Sequence, residues 1–108
     1  MDQLFFDWDE NKNQKNIKKH GISFQEASSV FFDNNAVVFD DPDHSLDEVR
    51  FLVIGIIETV NRHLKTLRGV VSYCELEDNH IRIISARKAT KREEEQYYRY
   101  LGGEYYER

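Results

Sequence analysis

The stretch VVSYCELEDNHIRIISARKATKREEEQ, Val70–Gln96, decides the fold. Val70, Ser72, Cys74 and Leu76 alternate with Val71, Tyr73 and Glu75, the period of two that marks a strand. Glu77-Asp78-Asn79 is a hairpin turn, and HIRIISARKA is the strand that returns from it. Thr90 and Glu93 then form a T-x-x-E capping box, so a helix starts at Lys91. That helix is expected to run to about Leu101 and stop at Gly102-Gly103. Upstream, RFLVIGIIE at Arg50–Glu58 is apolar on both faces, as a central strand is. AVVFD at Ala36–Asp40 is a further strand, followed by the polar loop DPDHSLDE. Consecutive strands on short connections predict an antiparallel sheet.

The N-terminal third is helical after one short strand, LFFDWD. Asp7 and Glu10 have D-x-x-E spacing, a capping-box-like start for ENKNQKNIKKH. Ile17 is the only aliphatic residue of that helix, which ends at Gly21. A helix so polar is either a solvated lid or a contact surface. Ser23 and Glu26 open a second helix, with Phe24, Ala27, Val30 and Phe31 on one face. Two helices, a sheet of four to five strands and a last helix make an α+β domain.

Bulk properties agree. The 108 residues fit a single domain spanning 1–108, with 40% hydrophobic and 32% charged residues. The lone Cys74 excludes an intramolecular disulfide and a multi-cysteine zinc site, and suits a reducing, cytoplasmic setting. The N-terminus MDQLFFDWDENK has neither the basic start nor the apolar run of a signal peptide. Apolar runs such as Phe51–Ile57 are too short to span a bilayer.

Charge is unevenly laid out. The net charge is -5, and residues 21–50 set seven acids against Arg50. Residues 79–92 carry Arg82, Arg87, Lys88, Lys91 and Arg92 with no acid. Lys91 and Arg92 fall at the first two helical positions, where the positive end of the dipole prefers acids. Free N–H groups, the dipole and clustered cations form an anion site there. The competing reading is that these cations pair with acids one turn later. By parity, Ile81, Ile83, Ser85 and Arg87 share one strand face unless a bulge intervenes. His20 sits where a helix C-terminus favours a cation. Asp40, Asp41, Asp43 and His44 form a weak cluster, for which a metal is the lesser reading. Tyr97 and Leu101 pack the last helix on the sheet.

Four blocks then carry a resemblance: FDWDENKNQKNIKKHGISFQEA, VVFDDPDHS, RFLVIG and IRIISARKATKREE. In order and over most of the chain, they are similar to BrnT, the ribonuclease toxin family of BrnT/BrnA type II toxin–antitoxin systems. The resemblance implies a RelE-like fold and a metal-independent endoribonuclease that cleaves mRNA and inhibits translation, without a cofactor. It also implies a ribbon-helix-helix antitoxin like BrnA, which alone contacts operator DNA. Lys12, Asn16, Lys19, His20 and Gly21 match the first motif, Asp43 and His44 the second, Arg50 the third. Arg82, Ser85, Arg87, Lys88 and Thr90 match the fourth. On this basis Arg87 and Lys88 are expected at the phosphate, with His20 or Lys19 moving protons. Arg82, Arg50, Lys91, Arg92 and Lys12 are expected to bind RNA. Asp43, His44 and Tyr73 are candidates for antitoxin contact or support. Tyr73 stands where relatives are expected to carry a histidine. With a pKa of about 10, tyrosine is a poor proton carrier at neutral pH. The alternative is therefore a weakened toxin acting mainly as an antitoxin-binding co-regulator.

Overall fold

A computed structural model of the chain describes residues 3–41, 48–60 and 66–100. Its elements are β1 (Phe5–Trp8), α1 (Glu10–His20), α2 (Phe24–Ala27) with a 3-10 turn over Ser28–Phe32, β2 (Val37–Asp40), β3 (Arg50–Glu58), β4 (Thr66–Leu76), β5 (His80–Lys88) and α3 (Lys91–Tyr100). Local chemistry sets most boundaries. Ser23 and Glu26 close a full capping box, Gly21 ends α1 with φ 73°, and Thr90 and Glu93 cap α3 reciprocally. Asp78 and Asn79 take the left-handed turn conformation with φ 60° and 62°. Both residue types tolerate it. One cap differs from expectation. Asp9, not Asp7, receives the N–H groups of Asn11 and Lys12 and caps α1. This leaves Asp7 on a strand, where its carboxylate has another task.

The five strands form one sheet in the order β1-β5-β4-β3-β2. Four strands pair antiparallel as expected, but β1 lies parallel to β5, so the sheet is mixed. The chain leaves β1 through α1 and α2, so its first strand reaches the last one by a long crossover rather than a hairpin.

The two sheet faces carry different loads. On one face, Ile22, Phe24, Ala27, Val30, Val53 and Ile57 pack with Val71, Tyr73, Ile81, Ile83 and Ala86 as the main core under α1, α2 and the 3-10 turn. The 3-10 turn approaches β3 so closely that a Cβ at Gly55 would sit 2.9 Å from Val30 Cγ2. On the other face, Tyr97 of α3 and Ala89 just before that helix pack with Ile54 and Val70. The Tyr97 hydroxyl donates to Asp33 at 2.8 Å, and the Arg68 guanidinium lies 4.7 Å over the Tyr98 ring. Burial pushes the Tyr97 hydroxyl up to about 12, so it stays a donor at physiological pH.

The polar helix α1 is a contact surface, and its contacts are made by amides. Asn13 and Asn16 are its buried residues. Asn13 Oδ1 accepts from the Phe24 N–H at 2.8 Å. Asn16 donates to the carbonyls of Ile22 and Ala86, both at 2.9 Å, and accepts from the Ala86 N–H at 3.1 Å. Its side chain thus serves β5 as a surrogate strand where β1 has already ended.

Candidate functional site

A bulge builds the site. Ser72 pairs with Ser85, but Tyr73 pairs with Ile83, so Ile84 is an extra residue in β5. An extra residue reverses which face the following side chains occupy. Ile81 and Ile83 lie in the core as expected. Beyond Ile84, Ala86 takes the core position, while Ser85 and Arg87 turn to the α3 face. The bulge therefore puts Arg82, Ser85 and Arg87 on one face, where unbroken alternation would have separated Arg82 from the other two.

Register then sets a row across four strands. Asp7 pairs with Arg82, Arg82 with Cys74, and Cys74 with Arg50. At the usual strand spacing, the backbones of Arg50 and Arg82 stand roughly 10 Å apart. Arg82 Nε meets Asp7 Oδ1 at 3.0 Å and Nη2 meets Oδ2 at 3.2 Å. His80 Nε2 lies 2.9 Å from the same Asp7 Oδ2. The Arg82 hydrogen bonds chiefly hold the Asp7 carboxyl below its usual range; burial opposes them, and His80 adds to the lowering. Arg50 Nη2 lies 3.6 Å from Glu48 Oε2. Between the two arginines, Cys74 is 1% exposed. Burial first, then a hydrogen bond and the charge of Glu48, push its thiol up, while Arg50 and Arg82 act the other way. A neutral thiol in that setting is a weak nucleophile, as the lack of a local activator in the sequence implies. A cleft of about 380 Å³ opens beside the row, with Asp7, Lys12, Glu48, Arg82 and the bulged Ile84 among its walls.

The predicted residues are not all brought together. Arg50, Arg82 and Lys12 border this region. Arg87 lies on the same face four register positions farther along β4, opposite Val70, and its guanidinium is engaged. It donates from both Nη atoms to the two carboxylate oxygens of Glu93, each at 2.8 Å, and to the Lys88 carbonyl at 3.3 Å. The Arg87 guanidinium, with help from the Thr90 N–H, lowers the Glu93 carboxyl to about 2. Lys88, Lys91 and Arg92 are exposed at the β5–α3 junction. Lys19 and His20 are exposed in the last turn of α1, and among the described residues no contact joins them to the cleft. Asp43 and His44 lie outside the described residues, as does part of the Asp40–His44 cluster. Tyr73 is 5% exposed, packed between Phe31 at 4.8 Å and Phe51 at 5.6 Å between ring centroids. It belongs to the core on the opposite face from the arginine row, and burial pushes its hydroxyl up to about 12. Its place in the sheet is that of a packing residue.

Sequence reasoning passed over Glu48, which it counted only as charge, and the strand role of Asp7. A signal for Glu48 was present. Glu48 and Arg50 are two residues apart, which puts both on one side of an extended chain.

The fold and this face define a class: a small α+β domain carrying a row of guanidinium groups beside a cleft. The comparison is more specific. The profile of the family described as "Ribonuclease toxin, BrnT, of type II toxin-antitoxin system" matches residues 8–93. The chain belongs to that family. Its structure is similar to that of the Brucella abortus ribonuclease toxin BrnT, with a TM-score of 0.58 and 28% sequence identity, covering 82% of this chain and 100% of the other. No curated protein sequence matches it significantly. No helix among the described residues is long and apolar enough to cross a membrane.

Proposed function

We propose that this chain is a metal-independent endoribonuclease that cleaves mRNA and inhibits translation in the cytoplasm. A BrnA-like ribbon-helix-helix antitoxin neutralises it and links it indirectly to operator DNA. The observation that carries this reading is the Arg82–Cys74–Arg50 row, two guanidinium groups on one face beside a cleft. RNA brings its own nucleophile, the 2′-OH. The protein has to orient it, move protons and stabilise charge on the phosphorane. Guanidinium groups suit the last task because they bind phosphate oxygens in a bidentate fork. Arg50 and Arg82 are the phosphate ligands in this reading, with Lys12 at the rim and Lys88, Lys91 and Arg92 along the RNA path. Arg87 holds α3 through Glu93 and acts on the phosphate only by positioning its neighbours. Lys19 and His20 contact RNA outside the cleft.

The test is cleavage of mRNA by the purified protein with a chelator present. Cleavage is expected to persist, and Arg82→Ala is expected to lower it by about 10²-fold, the scale of losing one charge-stabilising donor. Intact RNA from a folded wild-type chain overturns the reading.

A second reading draws on the carboxylates beside the cations, Asp7 at Arg82 and Glu93 at Arg87. Such pairing weakens the local positive field that a free ribonuclease uses. In this reading the chain is a weakened toxin that acts mainly as an antitoxin-binding co-regulator. It predicts continued growth and intact RNA when the folded chain is expressed without antitoxin.

A further inference from the structure

RNA cleavage by the 2′-OH needs a group to accept its proton, and the carboxylates beside the arginine row differ in their freedom to do so. Asp7 accepts from both Nε and Nη2 of Arg82 and lies against His80. Asp9 Oδ1 accepts the N–H groups of Asn11 and Lys12 as the cap of α1. Glu93 is held by Arg87 and Thr90. A carboxylate whose oxygens are already donor-bound is a weak base. Glu48 is placed differently. Its side chain is 42% exposed, its ion pair with Arg50 is long at 3.6 Å, and it lines the cleft that Arg82 also lines. Arg50, its ion-pair partner, stands in register with Cys74, which separates it from Arg82 in the sheet.

The geometry points to Glu48 as the catalytic proton acceptor for the 2′-OH of bound RNA, with Arg50 and Arg82 on the adjacent phosphate. This assignment rests on the proposed ribonuclease function and deepens it. The ribose 2′-OH neighbours its own 3′-phosphate. A phosphate on Arg50 therefore brings the hydroxyl to the carboxylate that already lies beside that guanidinium. Glu48 takes the 2′-OH proton as the 2′-oxygen bonds to phosphorus. The bond from phosphorus to the 5′-oxygen breaks, its electron pair leaves with that oxygen, and water supplies the proton the oxygen takes up. The products are a 2′,3′-cyclic phosphate and a 5′-hydroxyl end. Glu48 then returns its proton to water. The charged and titratable groups around it are Arg50 from β3, Cys74 from β4, Arg82 from β5, Asp7 from β1, and Asp9 and Lys12 from the start of α1.

The experiment compares the wild-type chain with Glu48→Gln and Glu48→Asp on one RNA oligonucleotide across pH. A 2′-O-methyl version of the same oligonucleotide reports binding. Glu48→Gln is expected to lower kcat by about 10²- to 10⁴-fold and to remove the acidic limb of the pH–rate profile. Its affinity for the 2′-O-methyl RNA is expected to stay within about threefold, since the phosphate ligands remain. Glu48→Asp is expected to recover part of the rate and the acidic limb. Thermal melts check that each variant is folded, which an exposed side chain allows. A Glu48→Gln protein with wild-type kcat and an unchanged acidic limb overturns the assignment alone. So does a loss of rate matched by an equal loss of binding. An inactive, folded wild-type chain overturns the ribonuclease reading itself.

Discussion

Glu93 joins two features that the sequence displays separately. It completes the cap of α3 with Thr90, and it meets Arg87 with both oxygens. Arg87 is thereby a clamp between β5 and α3, and its loss affects the fold before it affects any ligand. The pair also makes stability depend on acid. The Glu93 carboxyl titrates at about 2 in the folded chain against an ordinary value of 4.5. A carboxyl depressed on folding contributes stability above its unfolded value and loses it as pH falls through the folded one. The window is therefore about pH 5 down to about pH 2, and the contribution is about 1 kcal/mol for a pair partly screened by solvent. Thermal melts across that window are expected to fall more steeply for the wild-type chain than for Glu93→Gln. Parallel curves for the two proteins would remove this account of Arg87. The capping box was legible because it is a four-residue pattern. The Arg87 contact was not, because it depends on which face the strand gives the arginine.

At the scale of elements, the junctions between α1 and β5 and within β5 matter most. Among the described residues no strand lies beside the edge of β5 beyond Trp8, and Asn16 takes that place. Asn16→Ala leaves the buried N–H and carbonyl of Ala86 without that partner. Each unsatisfied group costs about 1–3 kcal/mol, so a loss of about 3 kcal/mol is expected in a urea melt. A loss below about 1 kcal/mol would show that water replaces the amide. The residue types of α1 hinted at this, since a helix with one aliphatic residue must pack through something else. The bulge at Ile84 had no such hint. Alternation reads the same through Ile81–Lys88 with or without an extra residue, and only the pairing of Tyr73 with Ile83 places it. The cost of burying Arg87 in the core decides the outcome, because Ala86 fills that position without a charge.

For the whole molecule, an acidic chain has to meet a polyanion through a few local cations. Binding to single-stranded RNA weakens with salt by about 0.7 in log–log slope for each phosphate neutralised. Arg50 and Arg82 alone give a slope of about -1.4, the further cations along the RNA path make it steeper, and Arg82→Ala is expected to make it shallower by about 0.7. Binding of 2′-O-methyl RNA against salt concentration measures both, and an unchanged slope in the variant would remove Arg82 from the interface. The sequence by itself determined most of the elements, the caps of α2 and α3, the hairpin and the α+β class, because these follow from spacing over a few residues. It also determined the family, through ordered motifs. The tertiary structure decided that β1 pairs with β5 in parallel, that Tyr73 is core, and that Arg82 and Arg87 share a face. It also decided that Arg50 and Arg82 flank Cys74, with Glu48 at hand. Those outcomes depend on strand partners far apart in the chain, and on one bulge that turns the end of a strand over.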